Sequence, residues 1–308
     1  MLMDLLPYRV RSSIDLRRHD RACRPVLDTA PIVPADDGLV IFSMMGTAVL
    51  LPYLVAVKSL WSHLRRGRVV ILSDGTLTAR DRDVLAHHCG NPDIIDIADV
   101  DTTGFPRGGA WERLLTILDR RDGDYMIQLD SDTVTLGYPG AVADAVASNR
   151  SFTLLGGAEW EFGVKSCTDF VPSQKLSPTS EAHIQTRMER SLLRIADAGE
   201  MRYIRGCAGF AGFARRPGGR SLAAQFVAQM EGILGSKAMH EWGSEQVTSS
   251  FVVANDPDPM LLPYRHYANY WAEPWDADCR FMHFIGEHRH DGSAYRDATA
   301  AALAQMDR

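Results

Sequence analysis

The chain has 308 residues, 45% of them hydrophobic and 23% charged, which excludes disordered and collagen-like proteins and points to one large domain or two ordinary ones. Thirty-nine acidic against 33 basic side chains leave a formal net charge of −6, which disfavours nucleic-acid binding through a broad basic face. Five cysteines, Cys23, Cys89, Cys167, Cys207 and Cys279, are odd in number and never spaced C-x-x-C, so reduced thiols are expected and not a disulfide framework or a zinc knuckle.

The opening MLMDLLPYRVRSSIDLRRHDRACRP turns to arginines after a few apolar residues and lacks the continuous apolar core of a secretory signal. No transmembrane segment is expected, because no run approaches the roughly 20 apolar residues that a span requires. Residues 1–38, with Pro25, Pro31 and Pro34 and no sustained periodicity, are read as a solvated extension of a cytoplasmic protein. Contact with an anionic membrane surface is the other use of that basic stretch.

The fold proper is expected to begin at Leu39. Leu39-Val40-Ile41-Phe42 is a short apolar run with the pattern of a strand buried on both faces. From Val49 to Leu64, apolar residues recur at helical spacing, and Gly67 stands where a helix stop belongs. A second strand, Arg68–Leu72, precedes a helix opened by Thr78 and Asp81 in the pattern of a capping box. A third strand over 93–97, a helix from Trp111 to Leu118 and a fourth strand over Tyr125–Leu129 complete a βαβα order. That order predicts an α/β fold with a mostly parallel central sheet, whose ligands lie beyond the carboxyl ends of the strands. Ser43, Asp74 and Asp130 fall at such ends; Asp74 with Gly75 is read as a simple turn. In the second half, Thr179 or Ser180 is expected to cap a helix running to about Gly199, and Ser221–Leu234 is expected to be helical.

The strongest chemical signal is YMIQLDSDTVTLG. Asp130 and Asp132 follow a buried strand two residues apart, a spacing that puts both side chains on one face of an extended chain. Two such carboxylates suit a hard cation, Mg²⁺ or Mn²⁺, which can bridge a pyrophosphate and neutralise a departing nucleoside diphosphate. An alternative is the D-x-D-x-[TV] opening of haloacid-dehalogenase-like phosphatases, with Asp130 as nucleophile. That motif normally follows the first strand of its domain, whereas three strand candidates precede it here, and no acidic partner motif follows.

Together, SDGTLTARDRDVLA, WERLLTILDRRDGDYMIQLDSDTVTLG, WGSEQVTSSF and MHFIGEHRHDG resemble, in order and separation, the retaining sugar transferases that include glycogenin and bacterial lipopolysaccharide galactosyltransferases. The resemblance spans about Leu39 to Asp291. It implies a GT-A (Rossmann-like) transferase fold over 39–291, with a nucleotide-binding half (39–137), an acceptor half (138–291) and a helical tail (292–308). It also implies a metal held by Asp130, Asp132 and His283, and a donor that is a nucleotide-sugar, UDP-hexose by family expectation. The acceptor, a glycan, a lipid-linked glycan or a small molecule, is left open.

His283, Gly286 and Arg289 match three landmarks of the family's H-x-x-G-x-x-K-P-W segment, with arginine for lysine and His290-Asp291 in place of Pro-Trp. Arginine can still hold a phosphate through its planar fork. By the same resemblance Ser43 and Met44 meet the base and ribose, while Arg113 and Ser131 lie near the donor. Glu245-Gln246 stands for an Asp-Gln pair beside the donor sugar. The bland reading of Glu245 is a solvated carboxylate at a helix start, next to a cap-like Ser244. The Gly-rich run Ile204–Gly212 either approaches the donor sugar or packs as a buried strand. A non-catalytic nucleotide-sugar-binding protein of the same fold is the remaining alternative.

Overall fold

The computed structural model describes residues 8–173 and 182–306. The Thr179/Ser180 cap lies outside the described residues. The strands are β1 (Leu39–Met45), β2 (Arg68–Ser73), β3 (Asp93–Asp96), β4 (Tyr125–Leu129), β5 (Thr133–Thr135), β6 (Phe152–Leu155), β7 (Lys165–Ser166), β8 (Arg202–Tyr203), β9 (Gly206–Phe213), β10 (Met260–Leu261), β11 (Tyr267–Asn269) and β12 (Phe281–His283). The helices are α1 (Tyr8–Cys23), α2 (Leu50–Leu64), α3 (Ala79–His88), α4 (Trp111–Arg120), α5 (Gly140–Ala147), α6 (Cys167–Phe170), α7 (Ile184–Ser191), α8 (Ser221–Leu234), α9 (Ser236–Met239), α10 (Ser244–Asn255) and α11 (Ala294–Gln305).

Seven strands form the main sheet in the order β10-β6-β9-β4-β1-β2-β3, and β9 alone runs antiparallel to its neighbours β4 and β6. Because side chains alternate across a strand, β1 divides its apolar residues between two cores. Leu39, Ile41 and Met45 pack with Tyr53, Leu54 and Leu60 of α2, whereas Val40 and Phe42 pack with Trp111, Leu114 and Leu118 of α4. Strands from both halves of the chain share this sheet, since β9 sits between β4 and β6. Gly212 of β9 is required there: a Cβ would meet the Phe152 ring at 2.3 Å.

The expected capping box is present, with the Thr78 hydroxyl accepting from Asp81 N at 3.2 Å and the Asp81 carboxylate accepting from Thr78 N at 2.9 Å. The left-handed residue that ends α2 is Arg65 (φ 51°), not Gly67; Gly67 instead lies against Leu39.

Two sequence expectations give way. The segment before Leu39 is not simply a solvated extension: α1 packs on α2 and α11, and Cys23, Val26 and Ile32 are buried in the main core. The stretch Thr47–Leu64 is long and apolar enough by length and composition to cross a membrane, contrary to the expectation of no such run. In the fold it contributes α2, whose residues from Pro52 to Trp61 are all buried. The five cysteines are free, and Cys207 is the one that is not fully buried.

Candidate functional site

Asp130 lies where β4 leaves the main sheet. Its amide still donates to Gly209 O of β9 at 2.9 Å, and the Thr133 hydroxyl donates to Asp130 O at 2.9 Å, which tightens the turn into β5. Asp130 and Asp132 therefore converge through a turn and not, as their spacing suggested, along one face of an extended chain. β5 belongs to a second sheet, β11-β12-β5, in which Thr133 pairs with His283. Phe284 N donates to Asp132 O at 2.8 Å. This crossing of two sheets carries a histidine from residue 283 to the carboxylates.

One ligand atom from each of Asp130, Asp132 and His283 lies within 4.8 Å of the others. His283 Nε2 stands 3.2 Å from Asp132 Oδ1, and its Nδ1 lies 2.9 Å from Asn269 Oδ1 and 3.4 Å from Cys207 Sγ. With Nδ1–H donating to Asn269, Nε2 carries the lone pair that a metal would take, and the donor set of two carboxylates and one imidazole suits Mn²⁺ or Mg²⁺. Burial opposes charge on the ring, but Asp132 outweighs it and holds the His283 imidazolium well above the usual histidine range. Asp132 is pulled below the usual carboxylate range, with burial opposing and His283 and Arg289 prevailing. A divalent ion would replace the proton on Nε2.

Two arginines brace the carboxylates. Arg289 pairs with Asp132 and donates through Nε to Phe284 O at 3.0 Å. Arg113 of α4 donates to Asp130 at 2.5 Å and to Glu245 of α10 at 3.2 Å. Burial disfavours the Arg113 charge, yet Asp130 and Glu245 push its pKa up. α4 and α10 are tied by Trp111 Nε1, which donates to Ser244 Oγ at 3.0 Å. Ser244 is not the helix cap: Gly243 (φ 104°) takes that place, and the Ser244 hydroxyl donates to Met239 O at 2.6 Å.

The solvated reading of Glu245 fails, because the residue is 2% exposed. Its Oε1 has no partner among the described residues, and neither has Arg113 Nε. Burial pushes the Glu245 carboxyl up to about 7, with Arg113 opposing. Gln246, half-buried, donates to Gln185 at 3.4 Å.

Ser43 and Met44 follow the Phe42–Gln128 rung of β1 and β4, beside the Asp130 turn. Their side chains take opposite faces: Ser43 is fully buried on the α2 side, and Met44 packs partly exposed on the α4 side. Ser131 is half-buried, and its carbonyl accepts from Tyr295 OH at 3.4 Å. Gly286 has φ 52°, the left-handed conformation that lets the chain turn from His283 towards Arg289.

Three residues escaped the sequence reading. Asn269 and Cys207 touch His283; no sequence pattern marks Asn269, and Cys207 lies in the Gly-rich run Ile204–Gly212 without any role expected for it. Gly209 had a signal in the Gly-rich run, but its use is specific: a Cβ there would meet His283 Cε1 at 2.2 Å.

No family model matches this chain, and no curated protein sequence does. Among solved structures, it is similar to the galactosyltransferase LgtC in complex with donor and acceptor sugar analogues, at TM-score 0.52 and 14% identity over 88% of this chain and 97% of that one. An active-site mutant of LgtC matches at TM-score 0.51 and 13% identity, over 86% and 96%. The chain spans about half (51%) of the bifunctional glycosyltransferase WbbM, with 90% of its own length covered, 12% identity and TM-score 0.48. The LgtC likeness and the sheet topology together make this a GT-A fold.

Proposed function

We propose that this GT-A chain is a metal-dependent glycosyltransferase that moves a hexose from a nucleotide-sugar, UDP-linked by preference, to a glycan, lipid-linked or small-molecule acceptor with retention of anomeric configuration. The observation that carries this reading is the convergence of Asp130, Asp132 and His283 at the carboxyl edge of the sheet, where open α/β sheets bind ligands. Those three side chains would hold Mn²⁺ or Mg²⁺, and the ion would offset the charge of the donor pyrophosphate and of the departing diphosphate.

The remaining roles belong to the chain. Asn269 fixes the His283 ring, and Arg289, with donors beyond the two already engaged, takes a phosphate oxygen while steadying Asp132. Ser43 and Met44 shape the base and ribose end, and Gly286 and Ser131 supply close backbone. Arg113 holds Asp130 in place. Glu245, with its unpartnered Oε1, and Gln246 serve the sugar end, where a carboxylate stabilises positive charge developing at the anomeric carbon.

The phosphatase alternative is not favoured, because Asp130 follows the fourth strand and its carboxylate is engaged by Arg113. Calorimetry of nucleoside diphosphate binding tests the proposal. Affinity is expected to need Mn²⁺ and to vanish in a folded variant with Asp130, Asp132 and His283 replaced by alanine. Equal affinity in EDTA and in that variant would overturn it.

A further inference from the structure

A second charged cluster lies at the opposite edge of the main sheet. Arg121 follows α4 just ahead of β4, Arg216 follows β9 where that strand ends beside the start of β4, and Asp256 follows α10. Asp256 is 1% exposed; its Oδ2 accepts from Arg121 at 2.5 Å and from the Ser151 hydroxyl at 2.5 Å, and its Oδ1 accepts from Arg216 at 3.0 Å. A third guanidinium, Arg202, donates to the Asp256 backbone carbonyl at 2.8 Å and forms no ion pair among the described residues. Two of these guanidinium groups therefore share one buried carboxylate, and the third is held on the backbone carbonyl of the same residue.

These arginines line a cavity of about 430 Å³, together with the first turn of α8, while Glu200 stands exposed at its rim. The volume is that of a small-molecule site. α8 has no side-chain cap, so its first amides add positive potential to the same space. Glu200 and Arg216, both exposed, are screened by solvent, whereas the buried Arg121–Asp256 pair is not. Three arginines against Asp256 and Glu200 leave an excess of one positive charge in the lining, which favours an anion, and guanidinium forks fit phosphate oxygens in pairs.

We propose that this cavity is a second ligand site, separate from the Asp130 turn, that takes a small phosphate-bearing anion through Arg202, Arg216 and Arg121. The site stands whether or not the chain transfers sugars.

Inorganic phosphate is titrated calorimetrically into the full chain in EDTA at constant ionic strength, with acetate as the control anion. Binding is expected in the wild type and in Arg289→Ala, and a loss of about tenfold or more in Arg202→Ala and in Arg216→Ala, the scale of one charged hydrogen bond. The Arg216 side chain is 47% exposed, so its removal leaves the core in place, and thermal denaturation checks folding; Arg202→Gln replaces any variant that fails that check. No phosphate binding at millimolar concentration, undiminished binding in both arginine variants, or loss in Arg289→Ala alone would each overturn the proposal.

Discussion

Gly209→Ala perturbs the proposed metal site without replacing a ligand. Gly209 has no left-handed backbone angle, so alanine fits its backbone and the consequence is purely steric. The added Cβ would stand 2.2 Å from His283 Cε1 and 2.6 Å from both ring nitrogens, where ordinary contact begins at about 3.4 Å. The imidazole must retreat by about 1.2 Å or β9 must shift, and β9 is pinned by its pairing with β4 and β6. Overpacking of this kind costs about 1–3 kcal/mol of stability. A displacement near 1 Å costs a positioned reacting group about two powers of ten. We expect Mn²⁺ affinity, read by electron paramagnetic resonance of the free ion, to fall about a hundredfold while the circular dichroism spectrum stays native. Unchanged Mn²⁺ affinity in a folded Gly209→Ala protein would remove His283 from the ligand set.

Arg289→Ala should weaken nucleoside diphosphate binding more than Arg289→Lys, because only the latter keeps the charge; equal affinities in both variants and the wild type would discard that contact. Glu245→Gln should lower turnover by about one to two powers of ten, roughly 1.4–2.7 kcal/mol, with little change in donor binding. The same variant has a stability signature: the folded protein keeps the Glu245 proton up to about pH 7, whereas the unfolded chain releases it near 4.5. Wild-type stability should thus fall as pH rises from 4.5 to about 7, and the glutamine variant should fall less in that window; parallel urea midpoints would refute the buried-carboxyl account. Asp256→Ala strands the buried Arg121 and should cost about 3–5 kcal/mol by urea denaturation, and a loss below about 1 kcal/mol would show that the pair is not desolvated as described.

Elements with strong local signals were legible in the sequence. β4 and α8 have the expected bounds, and Thr78 and Asp81 form the box their side chains suggested. What local patterns could not carry is pairing between distant strands. β5, β11 and β12 are three residues each, too short for a period-two pattern, yet they bring His283 to Asp132. Similarly, the sequence left Glu245 open between a group beside the donor sugar and a solvated helix-start carboxylate, and its burial follows from the distant Trp111 and Arg113 of α4. The family resemblance pointed to Asp130, Asp132 and His283, which the fold brings together, while the contacts of Asn269 and of Cys207 with the His283 ring emerged only from the folded chain.

Incubation of the full chain with a panel of nucleotide-sugars, followed by measurement of free nucleoside diphosphate with Mn²⁺ and with EDTA, tests metal-dependent transfer. Slow, Mn²⁺-dependent release from one donor, abolished in the Asp132→Ala variant, is the predicted result. No release from any donor, or release that is equal in EDTA and in Asp132→Ala, would contradict a metal-dependent glycosyltransferase built on Asp130, Asp132 and His283.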